Sequence, residues 1–190
     1  MGVTFDETTQ QFVFDFEHDG AGDIVSLTGE GYQVEAFGRC FYYGYEFSEQ
    51  VDSAVRTAFI KYLKFSTNLQ DNPDLTQFIK KAVDNLNRKI NLYNYDLVVM
   101  PESSSKVNQY MLRYIYRFAQ PMLREIYQVL NPDEEFITLV KKNNVLVIDD
   151  VTTSGSTLNE VLRALRILNE DNDISIFSLI GRKDLMADEN

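Results

Sequence analysis

Residues Val145-Leu146-Val147-Ile148-Asp149-Asp150-Val151-Thr152-Thr153-Ser154-Gly155-Ser156-Thr157-Leu158 decide how the rest of the chain is read. Four apolar residues, mostly β-branched, predict a buried strand. Two aspartates end it, and a run of hydroxyl residues around one glycine follows. Leu158, Val161, Leu162, Leu165 and Leu168 then recur at helical spacing, with Glu160, Arg163 and Arg166 on the water side. Carboxylates at a strand's C-terminal end can accept hydrogen bonds from adjacent sugar hydroxyls. The turn and helix start can point backbone N–H groups at a phosphate, and the helix dipole favours an anion there. The order of the parts therefore suits a sugar phosphate. The plainer reading is a strand–turn–helix whose aspartates cap the turn or face solvent.

Working outward, the core should open at the strand Asp96–Met100. The loop Pro101-Glu102-Ser103-Ser104-Ser105-Lys106 follows. Val107, Tyr110, Met111, Tyr114, Ile115 and Phe118 make a helical stripe. Pro121 should end or kink that helix, with a second helical segment to about Leu130. Phe136–Val140 is a short strand candidate, and Lys141–Asn144 leads from it into the Val145 strand. After the second stripe, Asn169–Asn172 turns the chain into a last strand, Ile174–Ile180. Strands and helices alternating at these lengths predict a parallel sheet with right-handed crossovers.

The first half differs. Phe12, Phe14 and Phe16 alternate at strand period, Gly20–Asp23 is a turn, and Ile24–Leu27, Tyr32–Phe37 and Phe41–Phe47 are further strand candidates. The crowded tyrosines and phenylalanines read as core and cross-strand packing, with a base-stacking platform as the alternative. Ser48 looks like an N-cap for Val51, Ala54, Val55, Ala58, Phe59, Tyr62 and Leu63. A second helix begins near Pro73-Asp74, with Leu75, Phe78, Ile79, Ala82, Val83, Leu86 and Ile90 on one face. Residues 1–94 thus form a β-rich and helical elaboration packed on an α/β core at 95–190.

The chain has 190 residues, 44% of them hydrophobic and 25% charged, which is ordinary for one globular domain. No apolar run is long enough to span a bilayer, and Met1–Gln10 lacks the pattern of a signal peptide. One cysteine, Cys40, cannot make an intrachain disulfide, which agrees with a reducing, cytoplasmic location. One histidine, His18, in a polar stretch argues against a His-based triad or zinc site. A formal net charge of −11 argues against a general nucleic-acid or anionic-membrane surface.

Over residues 145–158 the chain resembles the type I phosphoribosyltransferases, in which a hydrophobic strand, two acidic residues and a threonine- and glycine-containing loop bind phosphoribosyl pyrophosphate (PRPP). Its form is closest to the orotate and competence-protein branches, where a threonine stands in place of an aspartate of the purine-salvage enzymes. Tyr43-Gly44-Tyr45 followed by a helix ending Tyr62-Leu63-Lys64-Phe65 also resembles the entry region of the competence branch. The resemblance implies an α/β fold with a parallel sheet flanked by helices, magnesium as cofactor, and a place in nucleotide metabolism. It implies PRPP and an unidentified nucleobase or amine as partners, and a homodimer is among its expectations.

Residue by residue, the resemblance places Asp149 and Asp150 on the ribose hydroxyls, directly or through magnesium. It counts them with Thr153 as catalytic, and sets Thr153, Ser154, Gly155, Ser156 and Thr157 around the 5′-phosphate. The loop carrying Ser103, Ser104, Ser105 and Lys106 would grip pyrophosphate, although N-capping alone explains its serines. Arg182 and Lys183, after the last strand, would lie near the base or else be two solvated cations. The implied reaction is displacement at C1 of the ribose with release of pyrophosphate, without a covalent nucleophile. One feature departs from the family pattern: only Lys141–Asn144 separates the second and third core strands as assigned, where catalytic members carry a mobile hood. That leaves open a non-catalytic PRPP or nucleotide sensor on the same fold, and a partner-binding subunit using its aromatic N-terminal region.

Overall fold

The computed structural model describes residues 2–6, 8, 11–15, 27–28, 32–36, 39–46, 53–65, 72–101, 105–118, 122–126, 134–135, 138, 144–168 and 173–181. The strands are β1 (Gly2–Asp6), β2 (Gln11–Asp15), β3 (Leu27–Thr28), β4 (Tyr32–Ala36), β5 (Arg39–Glu46), β6 (Leu97–Pro101), β7 (Met122–Ile126), β8 (Val145–Val151) and β9 (Ile174–Gly181). The helices are α1 (Ser53–Phe65), α2 (Pro73–Lys89), α3 (Val107–Ile115) and α4 (Ser156–Leu168). β1, β2 and β3 form a small antiparallel sheet. The main sheet has the order β4-β5-β9-β8-β6-β7. All neighbours from β5 to β7 pair in parallel, and β4 joins the edge antiparallel.

β8 and β9 lie at the centre, which explains their composition. Every residue of both is buried, so neither strand alternates apolar with exposed polar positions, and the start of β8, Val145–Ile148, reads as a continuous apolar run. Two apolar layers cover the sheet. On one face, Leu146, Ile148, Val98 and Phe177 pack with the stripe of α2 and with Val107, Met111 and Ile115 of α3. On the other, Val145, Val147, Leu97 and Val99 pack with Leu158, Val161, Leu162 and Leu165 of α4. The parallel sheet with helices on both faces expected from the sequence is thus present.

α2 shows how local signals and packing agree. Asn72 caps it by accepting the Leu75 N–H at 2.9 Å, and Pro73 occupies the first turn, where no N–H is needed. Its predicted apolar stripe is buried from Leu75 to Leu86. The Tyr45 ring stacks on Phe78 with centroids 3.9 Å apart, and its hydroxyl donates to the Phe78 carbonyl at 2.7 Å. A β-carbon added at Gly44 would lie 2.6 Å from Ala82 Cβ and 3.0 Å from the Leu179 carbonyl oxygen, so the bare backbone there lets α2 sit on the sheet. Phe41, Tyr43 and Tyr45 are core residues rather than an exposed stacking platform.

Two sequence expectations fail in the same region. The segment after Pro121 is strand β7, not a second helical segment: Met122–Ile126 pairs in full register with Leu97–Pro101. Leu, Arg and Glu favour a helix in isolation, but the backbone partners offered by β6 outweigh that weak preference. Of the strand candidate Phe136–Val140, only Thr138 is among the described residues, and it is helical, as are Glu134 and Glu135 before it. In chain order, residues 127–144 separate β7 from β8, where the sequence expectation sets only Lys141–Asn144 between the second and third core strands. β1, which carried no strand expectation, pairs along its whole length with β2. Ser48 and His18 lie outside the described residues. Cys40 is partly buried. Among the described residues, no helix is long and apolar enough to cross a membrane.

Candidate functional site

The sheet order creates a cleft before any side chain is considered. β6 and β8 are neighbours, paired from Leu97↔Val145 to Val99↔Val147. Beyond that point β6 continues along β7 to Pro101↔Ile126, while β8 continues along β9 to Val151↔Ile180. The helices that follow, α3 and α4, cover opposite faces. The chain therefore leaves the two strand ends in opposite directions, which is the topological switch point where open α/β sheets bind ligands.

Asp149 and Asp150 end β8 at this point. Both are buried, at 7% and 2% exposure. The Asp150 N–H donates to an Asp149 carboxylate oxygen at 2.9 Å, and the Val151 N–H donates to Asp150 Oδ1 at 2.7 Å. The carboxylates thus satisfy backbone groups at the strand's end. Asp150 Oδ2 is buried and has no hydrogen-bond partner among the described residues. Burial first, and then the charge of Asp150, push the Asp149 carboxyl up to about 7. The hydrogen bond from the Asp150 N–H and the positive charge of Lys64 oppose that rise. Lys64 lies in the last turn of α1, so the N-terminal half brings a cation to bear on the acidic pair. Nothing in the local sequence could have assigned it that role, because the proximity is made by tertiary packing.

The loop after β8 is held from below and open above. The buried Thr152 donates through its hydroxyl to Ser178 Oγ at 2.9 Å and through its N–H to the Ile180 carbonyl at 2.9 Å. Ser178 Oγ in turn donates to the Ile180 carbonyl at 2.9 Å. Thr152 and Ser178 pin the loop to β9, a role visible only once the two strands are paired. Thr153, Ser154, Ser156 and Thr157 are exposed. Ser154 and Ser156 hydroxyls lie 3.1 Å apart. Gly155 takes a φ of 75°, the left-handed region that glycine reaches without strain. Its carbonyl accepts the Asn159 N–H at 2.8 Å, starting α4. No acidic residue stands in the first turn of α4, so its positive end is not neutralised from within.

The facing loop, after β6, is organised differently. Ser105 is 3% exposed, and its Oγ accepts the Val107 N–H at 3.2 Å, shaping the start of α3. Lys106 is exposed at that helix start. Ser103 and Ser104, expected beside a pyrophosphate, lie outside the described residues, as do Arg182 and Lys183, expected near a base. β9 ends at Gly181, so the last pair follows directly from a core strand end. The structure therefore brings Asp149, Asp150 and residues 153–157 together at one strand end, with Ser105 and Lys106 on the neighbouring connection.

The acidic pair is suited to a divalent cation in one respect: two buried like charges and one unpartnered carboxylate oxygen gain from a positive neighbour. Among the described residues, no group of three or more His, Cys, Asp or Glu side chains converges as a self-sufficient metal site. A cation here would take its remaining ligands from water and substrate, as magnesium commonly does.

No family model and no curated protein matches the chain. Solved structures do resemble it. A purine phosphoribosyltransferase from Pyrococcus horikoshii Ot3 aligns over 55% of this chain and 82% of its own, at 16% identity and a TM-score of 0.42. A hypoxanthine-guanine-xanthine phosphoribosyltransferase aligns over 57% of this chain and 62% of its own, at 14% identity and a TM-score of 0.44. A phosphoribosyltransferase from Corynebacterium diphtheriae aligns over 70% of this chain and 96% of its own, at 15% identity and a TM-score of 0.38.

Proposed function

We propose that this protein binds PRPP with magnesium and transfers its phosphoribosyl group to a nucleobase or amine, releasing pyrophosphate. The observation that carries this reading is the buried Asp149–Asp150 pair beside an outward-facing hydroxyl loop and an acid-free helix start, all at the sheet's switch point. In the proposal the carboxylates accept from the ribose hydroxyls. Thr153, Ser154, Ser156, Thr157 and the Gly155 backbone hold the 5′-phosphate at the positive end of α4. Lys106 and the Ser103–Ser105 loop face the pyrophosphate from the α3 side, and Arg182 and Lys183 face the incoming base. Magnesium, when bound, supplies charge neutralisation for the leaving pyrophosphate and shares the Asp149–Asp150 carboxylates.

The reaction needs little covalent chemistry from the protein. A nitrogen lone pair of the acceptor attacks C1 of the ribose. The C1–O bond to pyrophosphate breaks and its electron pair leaves with that oxygen. The acceptor's displaced proton passes to solvent or a nearby base. Positioning of the two reactants in line supplies most of the rate. The form of the 149–157 segment supports an orotate- or competence-like branch over purine salvage.

The ground for a non-catalytic sensor was a short Lys141–Asn144 connection. With β7 ending at Ile126 and β8 starting at Val145, that ground for the sensor falls away, and the enzyme is the reading kept. The test is incubation with PRPP and magnesium against a panel of bases and amines, following pyrophosphate release. Base-dependent release supports the transferase. A melting temperature unmoved by millimolar PRPP and magnesium would refute the binding site itself, since a ligand at a hundredfold excess over its dissociation constant stabilises by about 2.7 kcal/mol.

A further inference from the structure

α3 buries one polar side chain in the middle of its apolar face. Asn108 is 1% exposed, and its helical neighbours Met111, Leu112 and Ile115 all belong to the core. Neither its amide nitrogen nor its amide oxygen has a hydrogen-bond partner among the described residues. A buried amide left unpaired is costly, and native structures rarely keep one without a use.

Its place in the fold gives that use. Asn108 lies in the first turn of α3, directly after the loop that leaves β6. Helical side chains lean toward the helix N-terminus, so the amide is tilted toward the strand ends rather than into the body of the core. Along β8, Leu146, Ile148 and Val151 belong to the core layer that includes α3, and Asp150 lies between the last two at the strand's C-terminal end. Asp150 Oδ2 is likewise buried without a hydrogen-bond partner among the described residues. Two orphan groups thus sit at the same end of the sheet, one in the first turn of the helix that follows β6 and one on β8, and they do not bond each other.

We infer that Asn108 is a ligand-positioning residue whose side-chain amide, together with Asp150 Oδ2, holds an O–H group of the bound sugar phosphate or of its hydrated cation. Oδ2 only accepts, whereas the amide both donates and accepts. A ribose hydroxyl satisfies both by donating to Asp150 and accepting from the Asn108 amide N–H. A cation-bound water satisfies both by donating to Asp150 and to the Asn108 amide oxygen. The inference rests on the sugar-phosphate reading of the site, and it adds the α3 side to a pocket so far defined by β8 and α4.

The test uses the full chain and two independent readouts. Asn108→Leu keeps the volume and removes the unpaired amide. It is expected to melt at or above the wild-type temperature and to bind PRPP with magnesium at least about tenfold more weakly, the loss of one good hydrogen bond. Inorganic phosphate at the α4 loop should bind it as it binds wild type. In the wild-type protein, the Asn108 side-chain amide resonance should move on adding PRPP with magnesium and stay still with inorganic phosphate. This second readout stands even where the variant fails to fold. A shift with ribose 5-phosphate and no metal assigns the O–H to the sugar, and a shift with magnesium alone assigns it to the cation's water. Equal PRPP affinity in Asn108→Leu and wild type, or an unmoved amide resonance at saturating PRPP, overturns the inference and leaves the proposed function standing. Loss of PRPP and phosphate binding by the same factor, with a lowered melting temperature, also overturns it by making Asn108 structural. A wild-type protein that binds neither PRPP nor phosphate overturns the proposed function and this inference together.

Discussion

The connections that leave β6 and β8 start alike and end differently. Each follows a buried strand, each leads into a helix, and each contains serines. After β8 the hydroxyls face outward, Gly155 takes the left-handed conformation, and the first helical turn carries no acid. After β6, Ser105 is buried and accepts the Val107 N–H, so its hydroxyl oxygen is engaged in starting α3. Residue types alone do not separate the two. What separates them is the support beneath: Thr152 is anchored to Ser178 and Ile180, and Thr153, Ser154, Ser156 and Thr157 beyond it are exposed. Under the proposed function, the β8 loop could cradle an anion because the layer below has relieved its hydroxyls of structural duty.

The largest expected effect is at the acidic pair, on the β8 side only. Asp149→Asn with Asp150→Asn should weaken PRPP–magnesium binding by roughly a hundredfold, given about 1.5–3 kcal/mol for a hydrogen bond to a charged group. Inorganic phosphate should lose less than about threefold, because it meets only the loop. Calorimetric titration of both ligands checks this, and equal losses would erase the division between sugar and phosphate.

Next comes a pair of substitutions, one in each connection. Gly155→Val forces a β-branched residue to positive φ, at about 1–3 kcal/mol of stability, and should abolish phosphate binding. Ser105→Ala should cost about 1 kcal/mol, as loss of a capping group does, while leaving phosphate binding unchanged. Thermal melts with and without phosphate separate the two. Phosphate binding retained in Gly155→Val would end the distinction drawn here.

The third prediction turns on pH. Asp149 holds its proton up to about 7 in the fold, against an ordinary value of 3.8 when the chain is unfolded. Between those values the native state binds a proton that the unfolded state releases, so stability falls as pH rises through that window. Asp149→Asn should therefore raise the melting temperature at pH 8 by several degrees, at about 2–4 °C per kcal/mol for a chain of this size. The gain should vanish below pH 4. A variant that melts lower than wild type at pH 8 would show that Asp149 is not destabilised by burial. If the gain appears together with lost PRPP affinity, the acidic pair is a functional group kept at a cost in stability.

The smallest effect probes the support beneath the β8 loop. Ser178→Ala removes one hydrogen bond to Thr152 and one to the Ile180 carbonyl, about 1 kcal/mol of stability. It should raise the phosphate dissociation constant a few-fold without altering the response of the β6 side to Ser105→Ala. A larger effect on PRPP than on phosphate would mean that the buried layer also positions Asp149, its register partner on β8.

The parts legible in the sequence are those whose neighbours along the chain decide their state. The central strands β8 and β9 announce themselves because burial on both faces makes them mostly apolar, with Asp149, Asp150, Ser175 and Ser178 as their buried polar residues. α2 is equally plain, with a cap, a proline and an apolar stripe in agreement. β7 is not legible: its Met-Leu-Arg-Glu-Ile sequence has nothing strand-like about it, and only β6 makes it a strand. That misreading also displaced the next strand and made the following connection look short. At the site, Asp149, Asp150 and the loop through Thr157 stand out as a contiguous pattern. Lys64, Ser178 and Asn108 do not, because each reaches the strand ends from another part of the chain and its importance exists only across space.

Gly44 and Ala82 show what this kind of packing does to the chain's freedom to vary. A β-carbon at position 44 would meet Ala82 Cβ at 2.6 Å and the Leu179 carbonyl at 3.0 Å. Gly44→Ala alone collides with Ala82 Cβ, whereas pairing it with Ala82→Gly removes that contact and leaves only the tighter-than-usual one with the Leu179 carbonyl. The two positions therefore trade volume, and the harm of either change depends on the other. Diverging copies of this chain would be expected to keep the sum of the two side chains small rather than either residue fixed, and an accidental enlargement at one position would close off routes of further change at its neighbour.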